Sequence, residues 1–184
     1  MKGQPQTETK KSSVRDMLVG TISMTTITAV LLSTVTYITA ARAEPVDDVA
    51  KNKAVVQESF DAWAAGTGGP YALLKEDARW EITGNSAASK VYPSREAFMA
   101  EVIRPFNARM SSPLKPVIRS MTGEGDTVVV LFDAAGVASD GKPYANTYSW
   151  HLRLDGGKIA SATAFFDSIA FNDLWSRVTP RPAK

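Results

Sequence analysis

The 184-residue sequence contains no cysteine and only one histidine, His151. The absence of cysteine excludes disulfide bonds and thiolate metal sites. A zinc site would need several carboxylates around the single imidazole, and the sequence shows no such cluster. We therefore expect no bound metal ion.

The sequence also lacks the short motifs of common nucleotide and serine-hydrolase sites, namely a glycine-rich phosphate loop and a G-x-S-x-G elbow. Residues 1–43 hold five of the 21 Lys and Arg residues and two of the 19 Asp and Glu residues, which leaves 16 basic and 17 acidic residues in 44–184. This balance provides no basic stripe for a nucleic acid. We expect no nucleic-acid partner and no cofactor.

The N-terminal segment has the order of charged and apolar residues that is typical of a secretory signal. Basic residues precede an uncharged stretch over residues 17–41, and "ARA" follows at 41–43. We predict a signal peptide over residues 1–43, a mature chain that begins at Glu44, and a periplasmic or secreted protein. The alternative is an uncleaved membrane anchor, since about 20 apolar residues can span a bilayer.

Helical periodicity marks the beginning of the mature chain. A helix between Pro45 and Gly66 is predicted by apolar residues that recur at helical spacing: Val49, Val56, Phe60 and Trp63. The run 78–83 alternates between polar and apolar residues and predicts a short strand. Residues 84–93 are predicted to form a loop.

A second long helix is predicted after this loop. Ser94 can cap its first turn, and its apolar stripe consists of Phe98, Val102 and Phe106. Pro105 lacks a backbone N–H, so we expect it to kink or end the helix near Arg104.

After this helix the apolar period changes to two, which indicates strands. Alternating runs separated by short breaks with Gly and Asp predict antiparallel hairpins, over residues 114–123, 127–139, 144–154 and 159–167. Helices followed by strands indicate an α+β domain, in which a curved antiparallel sheet wraps on N-terminal helices. We place this domain at 44–178 and expect a loose tail at 179–184.

The last hairpin is predicted with Leu154 opposite Ile159 across the turn "DGGK". Paired residues share a face of the sheet. In this register one face carries a mostly aromatic set with an acid at its end: Asn146, Tyr148, Trp150, Phe165 and Asp167. A slip of one residue would exchange the two faces.

The preceding hairpin is predicted with Phe132 opposite Trp150 and Gly136 opposite Asn146. Small residues then oppose large ones at one end of the sheet, which predicts a cavity mouth there. The opposite face carries polar residues and suits solvent or a partner subunit: Asp133, Ser149, His151 and Arg153.

The order of these segments resembles the nuclear transport factor 2-like superfamily, and within it the SnoaL-like, ketosteroid-isomerase-related group. The segments are "NKAVVQESFDAW", "DARWEITG", "SREAFMAEV" and the strands "YSWHLRLDGGKI" and "FFD", and the resemblance covers roughly residues 51–176. It implies a cone-shaped α+β barrel, an internal pocket and, commonly, a dimer. Such a fold hosts both enzymes and binding proteins, so it does not decide the function.

The resemblance carries over catalytic residues only in part. Ketosteroid isomerases use an Asp base, a Tyr and a protonated Asp, and the matching positions hold Ile82, Ser59 and roughly Trp150. SnoaL-type cyclases use an Asp on the last strand as acid and base, and Asp167 lies at that position. A carboxyl beside aromatic rings has a raised pKa and can act as a base. The alternative is that Asp167 caps the segment that follows it.

Two functions therefore stay open. The first is an exported pocket protein that binds a small apolar molecule or a partner without turnover. Its ligand-binding residues would be Trp80, Tyr92, Asn146, Tyr148, Trp150 and Phe165. The second is an isomerase or cyclase that uses Asp167 on a small ketone or a similar ring. In either case we expect a homodimer through the outer sheet face near Leu131, Ser149 and His151.

Overall fold

A computed structural model describes residues 46–182, so the predicted signal peptide at 1–43 lies outside the described residues. The first helix, α1, spans Val46–Ala65. Its predicted apolar face is confirmed, because Val56 and Phe60 are fully buried. None of the helices within 46–182 combines the length and the apolar character that a membrane crossing requires.

The chain after α1 forms more strand than the sequence predicted. A short 3-10 helix at Pro70–Leu73 leads into strand β1, Leu74–Ile82, which begins four residues before the predicted start. The predicted loop contains a two-residue strand, β2 (Val91–Tyr92), which pairs with β1. Pairing with β1 gives this segment backbone partners that its sequence alone does not reveal.

The second helix, α2, has three parts: Arg95–Phe98, a π-helical turn at Met99–Ile103, and Arg104–Asn107. Ser94 is its N-cap, as predicted, and its Oγ accepts a hydrogen bond from the N–H of Ala97 at 3.2 Å. The helix does not end near Arg104 but continues to Asn107. A π-helical turn directly precedes the segment that contains Pro105. Its wider hydrogen-bond spacing lets the helix continue although Pro105 has no N–H to donate.

The four long strands are β3 (Met110–Glu124), β4 (Thr127–Ala138), β5 (Pro143–Asp155) and β6 (Lys158–Phe166), and helix α3 follows at Ser168–Arg177. The sheet order is β2-β1-β6-β5-β4-β3, antiparallel except for the β1–β6 pair. Helix α1 packs against β3 and β4. The predicted α+β fold, a curved sheet on N-terminal helices, is confirmed.

The predicted inner face of the sheet is confirmed as well. Its apolar residues are almost completely buried: Val128, Val130, Phe132, Leu152, Leu154 and Ile159. The β4–β5 register differs from the prediction by two residues, since Phe132 pairs with Tyr148 rather than Trp150. A shift of two keeps every side chain on its face because the side-chain period of a strand is two.

The β5–β6 register departs from the prediction in a way that changes faces. Leu154 pairs with Ile159 as predicted, but Ala160 has no partner in β5 and the pairing beyond it is shifted by one residue. Tyr148 therefore pairs with Phe166, and Phe165 lies on the outer face with 47% of its surface exposed. The prediction that Phe165 faces the interior is wrong for this reason.

The chain after α3 contains no helix or strand up to residue 182. The N–H of Arg181 nevertheless donates to the carbonyl of Ala108 at 3.0 Å, and its guanidinium donates to the carbonyl of Met110. At least this residue of the predicted loose tail is therefore attached to the domain.

Candidate functional site

The interior of the cone contains a cavity of about 50 Å³ between the sheet and the helices. Its lining is almost entirely aromatic or aliphatic and consists of Trp63, Tyr71, Trp80, Ile82, Phe98, Val102, Ile103, Phe106, Leu114, Tyr148, Trp150, Ala164, Phe166 and Phe171. Pockets for drug-sized ligands usually have about 300–1,000 Å³. A cavity of about 150 Å³ is known to hold benzene, so this cavity must widen by movement of its lining side chains before it can hold an aromatic ring.

Aromatic rings fix the shape of this cavity. The rings of Trp80 and Phe98 are stacked, with centroids 4.3 Å apart and planes inclined by 9°. Trp80 stands perpendicular to Trp150 at 5.1 Å, and Trp63 stacks on the same Trp150 at 5.8 Å. Offset-stacked and edge-to-face pairs are the favoured aromatic geometries. The walls are thus held by mutual contacts and offer a flat apolar surface to a ring-shaped ligand.

A surface groove of about 470 Å³ lies beside the cavity. The cavity and the groove share five lining residues: Trp63, Tyr71, Ile103, Phe106 and Leu114. The groove also touches Gly66, Gly68 and Gly69 in the loop after α1.

The predicted cavity mouth beside Gly136 is absent from the described structure. Gly136 pairs with Tyr144 rather than Asn146. A Cβ built on Gly136 would lie 2.7 Å from the carbonyl oxygen of Ser112, so the backbone of β3 occupies the space that the missing side chain leaves. Glycine at position 136 therefore allows β3 and β4 to approach each other closely.

Five lining residues carry a polar side-chain group: Trp63, Tyr71, Trp80, Tyr148 and Trp150. The indole Nε1 of Trp80 is buried and has no hydrogen-bond partner among residues 46–182. The hydroxyl of Tyr148 lies 3.1 Å from the hydroxyl of Tyr144. None of the described lining residues carries a carboxylate, imidazole, amine or guanidinium.

The tyrosine hydroxyls are neutral at physiological pH. Burial raises the pKa of Tyr148 well above its usual value, and the neighbouring Tyr144 raises it further. Burial, followed by the effect of Tyr144, likewise raises the pKa of Tyr71. The pKa of Tyr144 itself is raised by burial. These groups can therefore donate hydrogen bonds but do not act as tyrosinate bases near pH 7.

Asn146 is buried, as predicted, and lies next to Asp167, but it contacts the backbone of Asp167. Its Nδ2 donates to the carbonyl oxygen of Asp167 at 2.9 Å, and its Oδ1 accepts from the N–H of Asp167 at 3.0 Å. The same Nδ2 also donates to the Tyr144 hydroxyl at 3.0 Å. Asn146 therefore fixes the start of α3 and the orientation of a buried tyrosine. It does not line the cavity.

The side chain of Asp167 lies at the surface. Its carboxylate accepts a hydrogen bond from the N–H of Ile169 at 2.8 Å and forms the N-cap of α3. The prediction that Asp167 lies inside the pocket is therefore wrong, and the alternative that it caps the following helix is confirmed. The register shift at Ala160 is the physical reason, because beyond it the residues predicted for the inner face of β6 lie on the outer face.

The other predicted site residues divide into two groups. Trp80, Tyr148 and Trp150 do line the cavity. Tyr92 is buried behind Phe98, with centroids 5.6 Å apart, and its hydroxyl donates to the carbonyl of Ala88 at 2.6 Å. Tyr92 is thus part of the core and does not line the cavity, and the lining position predicted for Phe165 is taken by its neighbour, Phe166.

Sequence reasoning did not single out several lining residues, among them Tyr71 and Phe171. Tyr71 lies in the 3-10 turn before β1, and Phe171 lies on α3, where it packs on Phe166 at 5.1 Å. Tyr71 follows the loop after α1, and Phe171 lies in the first turn of a helix that begins directly after β6. Their only signal was an aromatic residue just after a turn, which is too common to predict a site.

No group of three His, Cys, Asp or Glu side chains within the described residues is arranged to hold a metal ion. The site is therefore described by its aromatic walls and its neutral hydrogen-bond donors.

A family model for the SnoaL-like domain matches residues 56–162, more than half of the chain. The chain belongs to the SnoaL-like domain family. No curated protein matches its sequence.

Solved structures with the same fold share little sequence with this SnoaL-like chain. A nuclear transport factor 2-like protein of unknown function from Burkholderia pseudomallei is 19% identical, with a TM-score of 0.58 over 68% of this chain and 98% of that one. Bal32a, from a soil-derived mobile gene cassette, is 19% identical, with a TM-score of 0.58 over 70% and 99%. TerC, co-crystallised with polyporic acid, is 16% identical, with a TM-score of 0.55 over 68% and 98%. These similarities show the fold alone.

The positions that correspond to ketosteroid-isomerase residues have other roles in this SnoaL-like chain. Ile82 and Trp150 contribute apolar lining. Ser59 turns its hydroxyl to the carbonyl of Val56 in its own helix, at 2.7 Å. The described residues at these positions therefore supply no carboxylate base.

Proposed function

We propose that this SnoaL-like chain binds a small apolar molecule in the interior cavity and does not turn it over. The observation that carries the proposal is the chemistry of the lining: 14 side chains, none of which is ionised near pH 7. Proton-transfer catalysis generally needs a positioned base whose pKa lies near the working pH, together with a stabiliser of developing charge. The cavity walls supply donors and apolar surface but no such base.

The position of Asp167 argues against the alternative of an isomerase or cyclase that uses this residue. Its carboxylate is engaged with the N–H of Ile169 on the surface. Reaching a cavity ligand would require the first turn of α3 to unfold and the bonds between Asn146 and the Asp167 backbone to break. A catalytic base needs to lie within hydrogen-bond reach of its proton.

Two buried alanines on β6 provide a test of the binding site. Ala164 lines the cavity, whereas Ala162 lies on the same face of the strand but outside the lining. We expect toluene and acetophenone to shift amide and methyl resonances around the cavity in heteronuclear NMR spectra. Ala164→Val should weaken this binding by filling the cavity, while Ala162→Val, with a comparable packing cost, should retain it.

Mass spectrometry of molecules that co-purify with the protein would then identify the natural ligand. The absence of any shift with all one-ring probes, together with no co-purifying apolar molecule, would contradict the binding proposal. Equal weakening by both alanine substitutions would place the binding site elsewhere.

We also propose that the protein is a homodimer through the outer face of the sheet, around Leu131, Ser149 and His151. This face exposes large apolar side chains, among them Val117 at 67% and Phe165 at 47%. Covering them would remove apolar surface from water. Light scattering at micromolar concentration should give twice the monomer mass, and only monomer would contradict the proposal.

The variant Phe165→Glu should shift this equilibrium towards monomer, because it places a charge in the interface. Ile169→Glu is the matched control. Ile169 is 83% exposed but lies on α3 and not on a strand of the sheet, so its substitution should leave the dimer intact.

Export remains a proposal from the sequence. We propose that the native host removes residues 1–43 and releases the chain from Glu44 onward. N-terminal sequencing of material from that host should begin at Glu44. A full-length chain in the membrane fraction would favour the anchor, and a full-length soluble chain would contradict both possibilities.

A further inference from the structure

The Trp80 indole has a hydrogen-bond donor that the protein leaves unused. Trp80 is only 2% exposed, and its Nε1 has no acceptor within residues 46–182. A buried donor without a partner is unfavourable and uncommon in native structures. The ring forms part of the cavity wall, so a molecule in the cavity can supply the missing acceptor.

A chain of hydrogen bonds beside the cavity joins Asn146, Tyr144 and Tyr148, and it contains one hydroxyl proton more than it has acceptors. Asn146 donates its Nδ2 hydrogen to the Tyr144 hydroxyl, and the Tyr144 and Tyr148 hydroxyls share a single bond of 3.1 Å. Two hydroxyl protons thus serve one hydroxyl–hydroxyl bond, and whichever tyrosine donates, one proton has no acceptor among the described residues.

If Asn146 donates to Tyr144 and Tyr144 donates to Tyr148, the hydroxyl proton without an acceptor is that of Tyr148. Tyr148 lines the cavity and Tyr144 does not, so a ligand in the cavity can accept this proton. In this order Tyr144 both accepts and donates, and successive hydrogen bonds polarise one another. In this order the chain strengthens the Tyr148 hydroxyl as a donor. The reverse order would leave the spare proton on Tyr144, whose hydroxyl has no further acceptor.

We infer that Trp80 and Tyr148 are the specificity-determining donors of the cavity and select a neutral, ring-shaped ligand that carries a hydrogen-bond acceptor oxygen. This inference rests on the proposed binding function and adds a chemical preference to it. The acceptor is neutral because no cationic side chain lines the cavity to balance an anion. A hydrocarbon of the same shape meets the same walls but leaves both donors unpaired.

Acetophenone and α-methylstyrene provide a matched pair of probes, since the two molecules have nearly the same shape and differ in a C=O group against a C=CH2 group. The protein has four tryptophans, so its indole N–H signals are few and the Trp80 signal is assigned from the spectrum of Trp80→Phe. We expect acetophenone to bind about fivefold or more tightly than α-methylstyrene. It should also move the Trp80 indole proton downfield, as a new hydrogen bond does.

The Tyr148→Phe variant removes one hydroxyl and keeps the ring. It should reduce acetophenone affinity about fivefold and leave α-methylstyrene affinity unchanged. Tyr92→Phe is the matched control, because the Tyr92 hydroxyl is also buried but donates to Ala88 outside the cavity. This control should retain the preference for the ketone even though it removes a hydrogen bond from the core.

The outcomes separate the two proposals. If both probes bind with equal affinity and the Trp80 signal does not move, the donor inference is overturned while the binding function stands. If neither probe binds, the binding function and the inference fall together. A loss of the ketone preference in Tyr92→Phe as large as that in Tyr148→Phe would also overturn the assignment of Tyr148.

Discussion

Removal of the Asn146 side chain tests how the buried polar group supports the fold. Asn146 is 7% exposed and makes three hydrogen bonds, two with the backbone of Asp167 and one with the Tyr144 hydroxyl. In Asn146→Ala, water can reach the Asp167 groups because that residue lies at the surface, so each lost bond costs about 0.5–1.5 kcal/mol. Tyr144 is only 3% exposed, so water does not replace the bond from Asn146 to its hydroxyl. The loss of that hydrogen bond costs about 1–3 kcal/mol.

We therefore expect Asn146→Ala to lower the free energy of unfolding by about 2–6 kcal/mol. The assay is urea denaturation followed by circular dichroism, with the slope against urea compared to confirm that the denatured state is unchanged. Thr147→Ala is the control. Thr147 is the next residue on β5, faces the opposite side, and donates to Asp133 in an exposed bond of 2.6 Å. It should cost less than about 0.5 kcal/mol.

The reasoning would be refuted if both variants changed the free energy of unfolding by the same small amount. Such a result would mean that water replaces the Asn146 amide even beside Tyr144. A second readout is local: the backbone N–H groups at the start of α3 should exchange with solvent faster in Asn146→Ala than in the parent protein, because Asn146 holds the Asp167 peptide.

Three further predictions follow from the same structure. Asp167→Ala should lower the free energy of unfolding by about 1 kcal/mol, whereas Asp167→Asn, which keeps a good cap, should change it by less than about 0.5 kcal/mol in urea denaturation. Gly136→Ala should cost about 1–3 kcal/mol in the same assay because its Cβ would lie 2.7 Å from a β3 carbonyl oxygen, while Gly68→Ala, with its nearest contact at 3.4 Å, should have little effect. Burial raises the pKa of Tyr71 and Tyr148, so folding favours the neutral phenols. Their contribution to stability should be complete below about pH 10 and be lost as the pH rises through their folded pKa values, which ellipticity and absorbance at 295 nm measure together.

The elements of the fold were predictable because their burial follows simple periods. Val56 and Phe60 recur at helical spacing and lie on the buried side of α1. Phe132 and Leu152 follow the period of two and lie on the buried face of their strands. A hydrophobic pattern records which side of an element faces the core, and it does so without knowledge of the partner element.

Details that depend on a single residue were not predictable in this way. The unpaired Ala160 in β6 has no distinctive sequence signal, yet it exchanges the faces of Phe165 and Phe166. The hydrophobic pattern gives no warning, because both candidates for the inner position are phenylalanine. A bulge of one residue therefore moved two predicted site residues, Phe165 and Asp167, out of the interior.

The predicted pairing of Asn146 with Asp167 is still the feature that connects the surface with the cavity. The Asp167 backbone meets the Asn146 amide, which bonds to Tyr144, whose hydroxyl lies beside that of Tyr148 in the cavity wall. The Asp167 carboxylate, on the other side of the same residue, caps α3. An acid at the end of an aromatic strand thus contributes through two distinct parts: its side chain fixes the helix, and its peptide group orients the chain of neutral donors. A substitution of the Asp167 side chain should therefore affect helix stability before it affects the cavity, whereas a substitution of Asn146 should affect both.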